Sequence, residues 1–210
     1  MKKSTIILLS VLGLAALLVI GLVGSYNSLV SLSQGVDMQW AQVQNVYQRR
    51  ADLIPNLVST VSGAANFEKS TLEEITQARA SVGQVKIDPS KAPTDPAQLA
   101  AFKKAQDGLS SALSHLLVVS ENYPQLKATE NFRDLQAQLE GSENRITVER
   151  QKFNDAVQGY DTAIQQFPGV ITARLGGFQS KPYFQAQAGS ETAPKVNFNF
   201  GGTAPAASTP

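Results

Sequence analysis

The 210-residue chain has no cysteine, one histidine and one tryptophan, and 17% of its residues are charged, against about 25% in an ordinary soluble domain. The missing thiols exclude a disulfide framework, a thiolate nucleophile, a cysteine-ligated metal and a cysteine-acylated lipid anchor. They leave the redox compartment unreadable, since a chain without thiols tolerates either side of a membrane. With 18 Lys+Arg against 17 Asp+Glu the net charge is +1, so nothing in the charge balance supplies the basic face that nucleic-acid binding needs. A lone imidazole, His115, cannot build the paired Glu-x-x-His sets of a di-iron bundle or a multi-histidine zinc site. Flanked by Ser114 and Leu116 beside an apolar row, it reads as a core or boundary residue rather than a ligand or a catalytic base. There is no G-x-S-x-G elbow and no phosphate-cradling glycine loop. Adjacent acids such as Glu73-Glu74 are a solvated helix face.

Against these absences stands one long apolar run. Ile6 to Ser25 are twenty consecutive uncharged, mostly aliphatic residues, which as a helix would span about 30 Å, the hydrocarbon thickness of a bilayer. Lys2 and Lys3 precede it, and the next charge is Asp37. The positive-inside bias therefore puts the N-terminus in the cytoplasm and the rest on the periplasmic or extracellular side. The competing reading is a cleaved signal peptide, for which Val23-Gly24-Ser25 would be an imperfect site and the apolar run is too long. Gly21 with Ser25 and Gly24 with Ser28 form small-x-x-x-small pairs through which anchor helices could approach closely.

Beyond the anchor the pattern is helical throughout. Val36, Trp40, Val43, Tyr47, Arg50, Ile54, Leu57 and Val61 recur at spacings of 4 and 3, the seam of a long packed helix, which ends at Gly63 to Asn66. Leu72, Ile75, Arg79 and Val82 mark a second helix. Asp88 to Pro96 holds three prolines in nine residues and must be a connection, with Asp95-Pro96 as cap and first turn of a third helix. That helix carries Leu99, Phe102, Leu109, Leu113 and Leu116 and stops before Pro124. A fourth, from about Lys127 to Phe167, carries Phe132, Leu135, Leu139, Ser142, Ile146, Arg150, Phe153, Val157, Tyr160, Ile164 and Phe167. With no hairpin signal anywhere in this region, the expected fold is all-α: a single N-terminal transmembrane helix (residues 1–28) and an elongated antiparallel four-helix bundle (29–185). A tail rich in Ala, Gly, Pro, Ser and Thr follows (186–210), too poor in apolar residues to order itself, with Val196 to Phe200 its one segment able to dock.

Several blocks in this order carry a resemblance. Tyr47 to Val58 reads YQRRADLIPNLV, and Gln77-Ala78-Arg79, Glu121 to Lys127 (ENYPQLK), Asn131-Phe132, Glu143-Asn144 and Phe153 to Tyr160 (FNDAVQGY) follow it. Behind one N-terminal membrane helix, this set resembles the LemA family of bacterial membrane-anchored proteins, over about residues 1 to 185. The resemblance implies a transmembrane helix carrying an all-α bundle, with no enzymatic activity established for the family. One departure lies where the family often has a Gly-Tyr-Ala-x-His-Glu-like stretch. Here Gly63 to Glu68 reads GAANFE.

Polar residues interrupt the apolar stripes. Arg50, Arg79 and Arg150 all fall on them, and a buried guanidinium needs a carboxylate and further acceptors. Asp52, Glu68, Glu121, Glu143 and Glu149 are the acids available, and Asn56, Asn122, Asn131 and Asn154 can satisfy remaining donors and acceptors. Two readings follow: an ion-pair network that fixes helix register, or an interior site that captures an anionic small molecule or peptide. At least two of the arginines are expected to be buried against carboxylates, and removing one partner of such a pair would cost about 3–5 kcal/mol. Pro55 removes the hydrogen bond to the Ala51 carbonyl and is expected to kink the first helix, as a static bend or a hinge.

An up-down-up-down order returns the fourth helix to the membrane. There Val170, Ile171, Leu175, Phe178, Tyr183 and Phe184, with Arg174 and Lys181, mix apolar and basic character. That suits a headgroup-level segment, with Ile171, Arg174, Leu175 and Phe178 as its contacts, as well as packing beneath the bundle. The expected function is a membrane-anchored, non-enzymatic envelope scaffold or adaptor. It would use no cofactor or metal and would act through homo-oligomers, coiled-coil-like flanks, membrane lipid and an envelope protein partner not identified by the sequence.

Overall fold

The computed structural model describes residues 3–63 and 67–186, which form six helices and, among the described residues, no strand. Lys2, the last three residues of the expected turn at Gly63 to Asn66, and the tail from residue 187 on, with Val196 to Phe200, lie outside the described residues.

Helix α1 spans Lys3–Ser62, 60 residues without a break. The apolar run and the packed seam thus belong to one helix of about 90 Å. Between Ser25 and Val36 no proline interrupts the backbone, so helical geometry carries straight through residue 28. Ile6 to Ile20 are exposed, and burial starts at Leu29 and then recurs at Val36, Trp40, Val43, Tyr47, Arg50, Ile54, Leu57 and Val61. The 4-and-3 spacing read from the sequence is this buried edge.

From the distal end the chain returns along α2 (Lys69–Gln84), descends further through residues 85–95, and climbs again in α3 (Pro96–Ser120). Asp95 caps α3 as its Asp-Pro sequence predicts, its carboxylate accepting from the Ala97 amide at 2.8 Å. The expected fourth helix is divided. A short α4 (Pro124–Ala128) turns at the tip, and α5 (Glu130–Gln165) starts where extended Thr129 caps it, the side chain accepting from the Phe132 amide at 3.4 Å. Helices α1, α2, α3 and α5 alternate in direction, giving the expected antiparallel bundle, with α5 lying along α1. The stripe expected on α5 is buried at every position from Phe132 to Ile164 except Arg150, which is half-buried. Phe167 departs from it: α5 ends at Gln165, and this ring is 80% exposed.

The core has two parts. Distally, Ile54, Leu57 and Val61 meet Ile75, Leu109, Leu116 and Phe132 in an aliphatic cluster. Nearer the anchor the filling is aromatic: Trp40 packs on Phe102 at 5.2 Å, Phe153 at 5.7 Å and Phe184 at 6.2 Å between ring centroids. Phe184 comes from the segment after α6 (Gly169–Gly176), which runs back up the stalk and replaces α2 as a covering layer there.

Pro55 leaves α1 assigned as one helix, and the carbonyl it strands is not left unpaired. The Ala51 oxygen, which would have bonded the amide of residue 55, accepts instead from Arg79 Nε at 3.3 Å. A side chain on α2 thus completes the ladder that proline interrupts.

Candidate functional site

The polar positions of the stripes fall into two groups at different heights on the stalk. The first centres on Arg50, whose place on the seam of α1 aims it at α3 and α5. It is 1% exposed. Its guanidinium donates to Ser110 Oγ at 2.7 Å, Glu143 Oε2 at 2.9 Å, the Gln106 carbonyl at 3.2 Å and Gln106 Oε1 at 2.7 Å. Three of the four acceptors are neutral and lie on α3, and the Glu143 side chain is 55% exposed. Arg50 is therefore a buried cation held mainly by neutral dipoles, with a carboxylate at the solvent edge.

Arg150 stands beside it on α5, half-buried, with its guanidinium carbon 5.5 Å from the Tyr47 ring centre and 5.0 Å from that of Phe184. Asp107, which also takes the Lys103 ammonium at 2.7 Å, lies 3.6 Å from Arg150. Burial pushes the Tyr47 phenol up to about 12, partly offset by the positive charges of Arg150 and Arg50, which favour the phenolate. The Tyr47 hydroxyl makes no hydrogen bond of good geometry. Lys103, Asp107, Ser110, Ser111, Glu143 and Arg150 border an open groove of about 510 Å³. Its cations already face carboxylates, so it offers mixed polarity and no concentrated positive charge.

The remaining positions do not join this cluster. Arg79 is exposed on α2 and serves the Ala51 carbonyl, which removes it from any site shared with Arg50 and Arg150. Asp52 is exposed and accepts from Gln48 at 2.7 Å. Asn56 and Glu121 are exposed, and exposed Asn131 borders a distal cleft with Thr60 and Tyr123. Glu149 pairs with Lys152 at 2.8 Å. These residues fall on the apolar stripes or near the arginines in sequence, but Asp52, Asn56, Arg79, Glu121 and Asn131 are exposed, and half-buried Glu149 turns to Lys152 on its own helix. An interior anion site built from three converging arginines does not exist in this arrangement.

Of the second polar group the sequence reading names Asn154, for the arginine network, and Lys181, for the membrane surface, but not their actual partners; the group fastens residues 178–186 to the stalk. Lys181, 6% exposed, donates to Asp37 Oδ1 at 2.8 Å, and the same oxygen accepts from the Ala92 amide at 3.0 Å. Asp161 accepts from the Lys181 amide at 3.1 Å and the Ser180 hydroxyl at 2.7 Å. Asn154 clasps the backbone of Phe184 in both directions, at 3.0 and 2.9 Å, and Tyr160 donates to the Gln179 carbonyl at 2.9 Å. The available signal was Asp37 itself, the first charge after the long uncharged run and adjacent to a seam position. Its partner, 144 residues away, carried none.

His115 is exposed and contacts Glu74 at 2.8 Å, so it is a surface residue rather than the core or boundary residue its apolar neighbours suggest. Among the described residues no three His, Cys, Asp or Glu side chains are grouped to hold a metal.

Of the residues expected at the membrane surface, Ile171, Arg174 and Leu175 are exposed on α6, and Phe178 is half-buried with its ring on Tyr26 at 5.4 Å, but Lys181 and Phe184 are buried higher on the stalk, against Asp37 and the aromatic core. The Ser25 hydroxyl pairs with Thr172 Oγ1 at 2.9 Å, so Ser25 of the Gly21–Ser25 pair is engaged by α6 while Gly21 stays exposed. Gly24 and Ser28 remain exposed.

Comparison with known proteins adds the lineage. Magnetosome protein MamQ of Magnetospirillum gryphiswaldense is 26% identical over 199 residues, covering 88% of this chain and 73% of its own length. Magnetosome protein MamQ 2 of Paramagnetospirillum magneticum is 26% identical over 182 residues, 80% of this chain and 67% of its own. Protein LemA of Metamycoplasma hominis is 24% identical over 164 residues, 78% of this chain and 70% of its own. The LemA family model matches residues 39–198, from the seam of α1 to beyond the fastened C-terminal segment. With its long apolar N-terminal helix, this membrane-associated helical chain belongs to the LemA family.

Proposed function

We propose that the chain is a non-enzymatic scaffold that assembles copies of itself at a membrane, with its N-terminus in the cytoplasm and its stalk on the periplasmic or extracellular side. The observation that carries this reading is the continuity of α1: the exposed apolar run and the buried seam are one helix of 60 residues. An unbroken helix transmits the orientation of the anchor to the stalk. Tethering in a bilayer also raises the effective concentration of stalk flanks for one another, so weak lateral contacts suffice. The interior is filled by aliphatic and aromatic packing and by an arginine that is already paired, so the outer faces are what the stalk offers a partner. The family match and the magnetosome-protein relatives support the membrane-associated, helical part of the reading.

The test is crosslinking in native membranes followed by light scattering of the detergent-solubilised chain. Ladders of the 22.5 kDa unit and a solution mass at a multiple of it are expected. A strict monomer in both experiments refutes self-assembly.

A further inference from the structure

The base of the stalk carries apolar surface that the fold does not use. Helix α6 continues the descent of α5 alongside α1. A Cβ on Gly169 would come within 3.9 Å of Leu29, Thr172 meets Ser25, and Leu175 and Gly176 line a shallow apolar cleft of about 290 Å³ with Leu22, Val23 and Tyr26. The chain then reverses. Gly177 adopts φ 71°, the left-handed conformation that favours glycine, and the Gly177 and Phe178 amides both close on the Ala173 carbonyl. Phe178 lies against Tyr26 on the way back up. The element is a hairpin whose lowest point is level with Leu22.

That level is inside the apolar run of Ile6 to Ser25. If those twenty residues fill the hydrocarbon thickness, Leu22 lies about 4–5 Å inside its edge, at ~1.5 Å per residue. Any segment packed against Leu22 and Val23 is carried to that depth. The hairpin's outward residues suit the position: Leu175 is 80% exposed and Ile171 41% exposed, with Arg174 exposed between them, while Phe167, also 80% exposed, stands higher, above the level of Leu29. Aliphatic side chains there meet acyl chains, and a guanidinium meets phosphate. The closed backbone at Ala173 and the Thr172 hydroxyl, bonded to the Gly169 carbonyl at 2.9 Å, spare polar groups from leaving water unpaired.

We infer that α6 and its glycine turn form a foot embedded in the headgroup–acyl boundary of the leaflet from which the stalk emerges, with bilayer lipid as its occupant. The foot adds a second membrane contact beside the anchor, so the stalk's rotation about the bilayer normal is coupled to its tilt. This inference rests on the reading of Ile6 to Ser25 as a membrane span.

The absence of native cysteine makes the test direct. Full-length Leu14→Cys, Met38→Cys, Ile171→Cys and Leu175→Cys proteins carry an environment-sensitive fluorophore in phosphatidylcholine/phosphatidylglycerol proteoliposomes. Quenching by brominated lipid and by aqueous iodide is then compared. The expected result is lipid quenching at 14, 171 and 175 and iodide quenching at 38, all four sites being exposed in the monomer. Lipid quenching at 14 with iodide quenching at 171 and 175 overturns the foot and leaves the anchor standing. Shielding of 175 from both quenchers assigns the surface to a second copy and also overturns it. Iodide quenching at 14 removes the anchor and the foot together.

Discussion

Arg50 offers a quantitative test of how the stalk holds its buried charge. Its guanidinium is 1% exposed and makes four hydrogen bonds, three of them to neutral acceptors on α3. Arg50→Ala removes all four, opens a cavity and leaves Gln106, 3% exposed, with a buried amide oxygen unsatisfied. An unsatisfied buried acceptor costs about 1–3 kcal/mol, and with the lost packing the expected destabilisation is about 3–5 kcal/mol. Glu143→Ala takes away the formal counter-ion, and a sequence-level argument assigns that loss the same cost. The geometry says otherwise. The Glu143 side chain is 55% exposed, so water already screens the pair, and its removal is expected to cost about 1 kcal/mol. A double-mutant cycle, read by denaturant unfolding of the full chain in detergent micelles, should give a coupling of about 1 kcal/mol between Arg50 and Glu143. A larger coupling is expected between Arg50 and Gln106. If Glu143→Ala proves as damaging as Arg50→Ala, with a coupling of about 3 kcal/mol or more, the claim that neutral dipoles hold this charge is wrong.

Three further outcomes are expected. The phenol of Tyr47 is raised from 10.0 to about 12, so the folded state retains a proton that the unfolded chain loses first. Its contribution is fully present below pH 10 and drains away between pH 10 and 12, by about 2–3 kcal/mol. Tyr47→Phe should flatten that alkaline decline in a stability-versus-pH series while changing neutral stability little. Arg79→Ala should cost about 1 kcal/mol in the native background and less beside Pro55→Ala, where the Ala51 carbonyl regains an amide. Additive effects in unfolding experiments would show that Arg79 does not compensate for the proline. Lys181→Ala removes the buried partner of Asp37 and should destabilise by about 3 kcal/mol, with amide exchange accelerating first in residues 178–186. Uniform acceleration across the bundle would mean that this lysine does not act as the local fastener.

Resemblance blocks such as Tyr47 to Val58 and Phe153 to Tyr160 point to a family that the match over residues 39–198 then shows. The polar residues in and around those blocks were less readable. Arg50, Arg79 and Arg150 occupy equivalent places in the periodic pattern, yet one is sealed in the core, one lies on the surface against a carbonyl, and one rests on two aromatic faces at the groove. Periodicity states which edge of a helix a residue occupies. It does not state what stands opposite at that height.

The same division runs through the whole chain. Local chemistry in the sequence determined the apolar run, the seam from Val36 to Val61, the Asp95-Pro96 cap and the proline-rich connection, because each depends on neighbours within a few turns. Tertiary packing decided the rest: that the anchor and the seam are one helix, that α6 dips beside Leu22, that Asp107 lies against Arg150, and that Lys181 reaches Asp37 across 144 positions. Those relations depend on the relative height of helices, set by how side chains of different size interlock across the core. No window of consecutive residues contains that information.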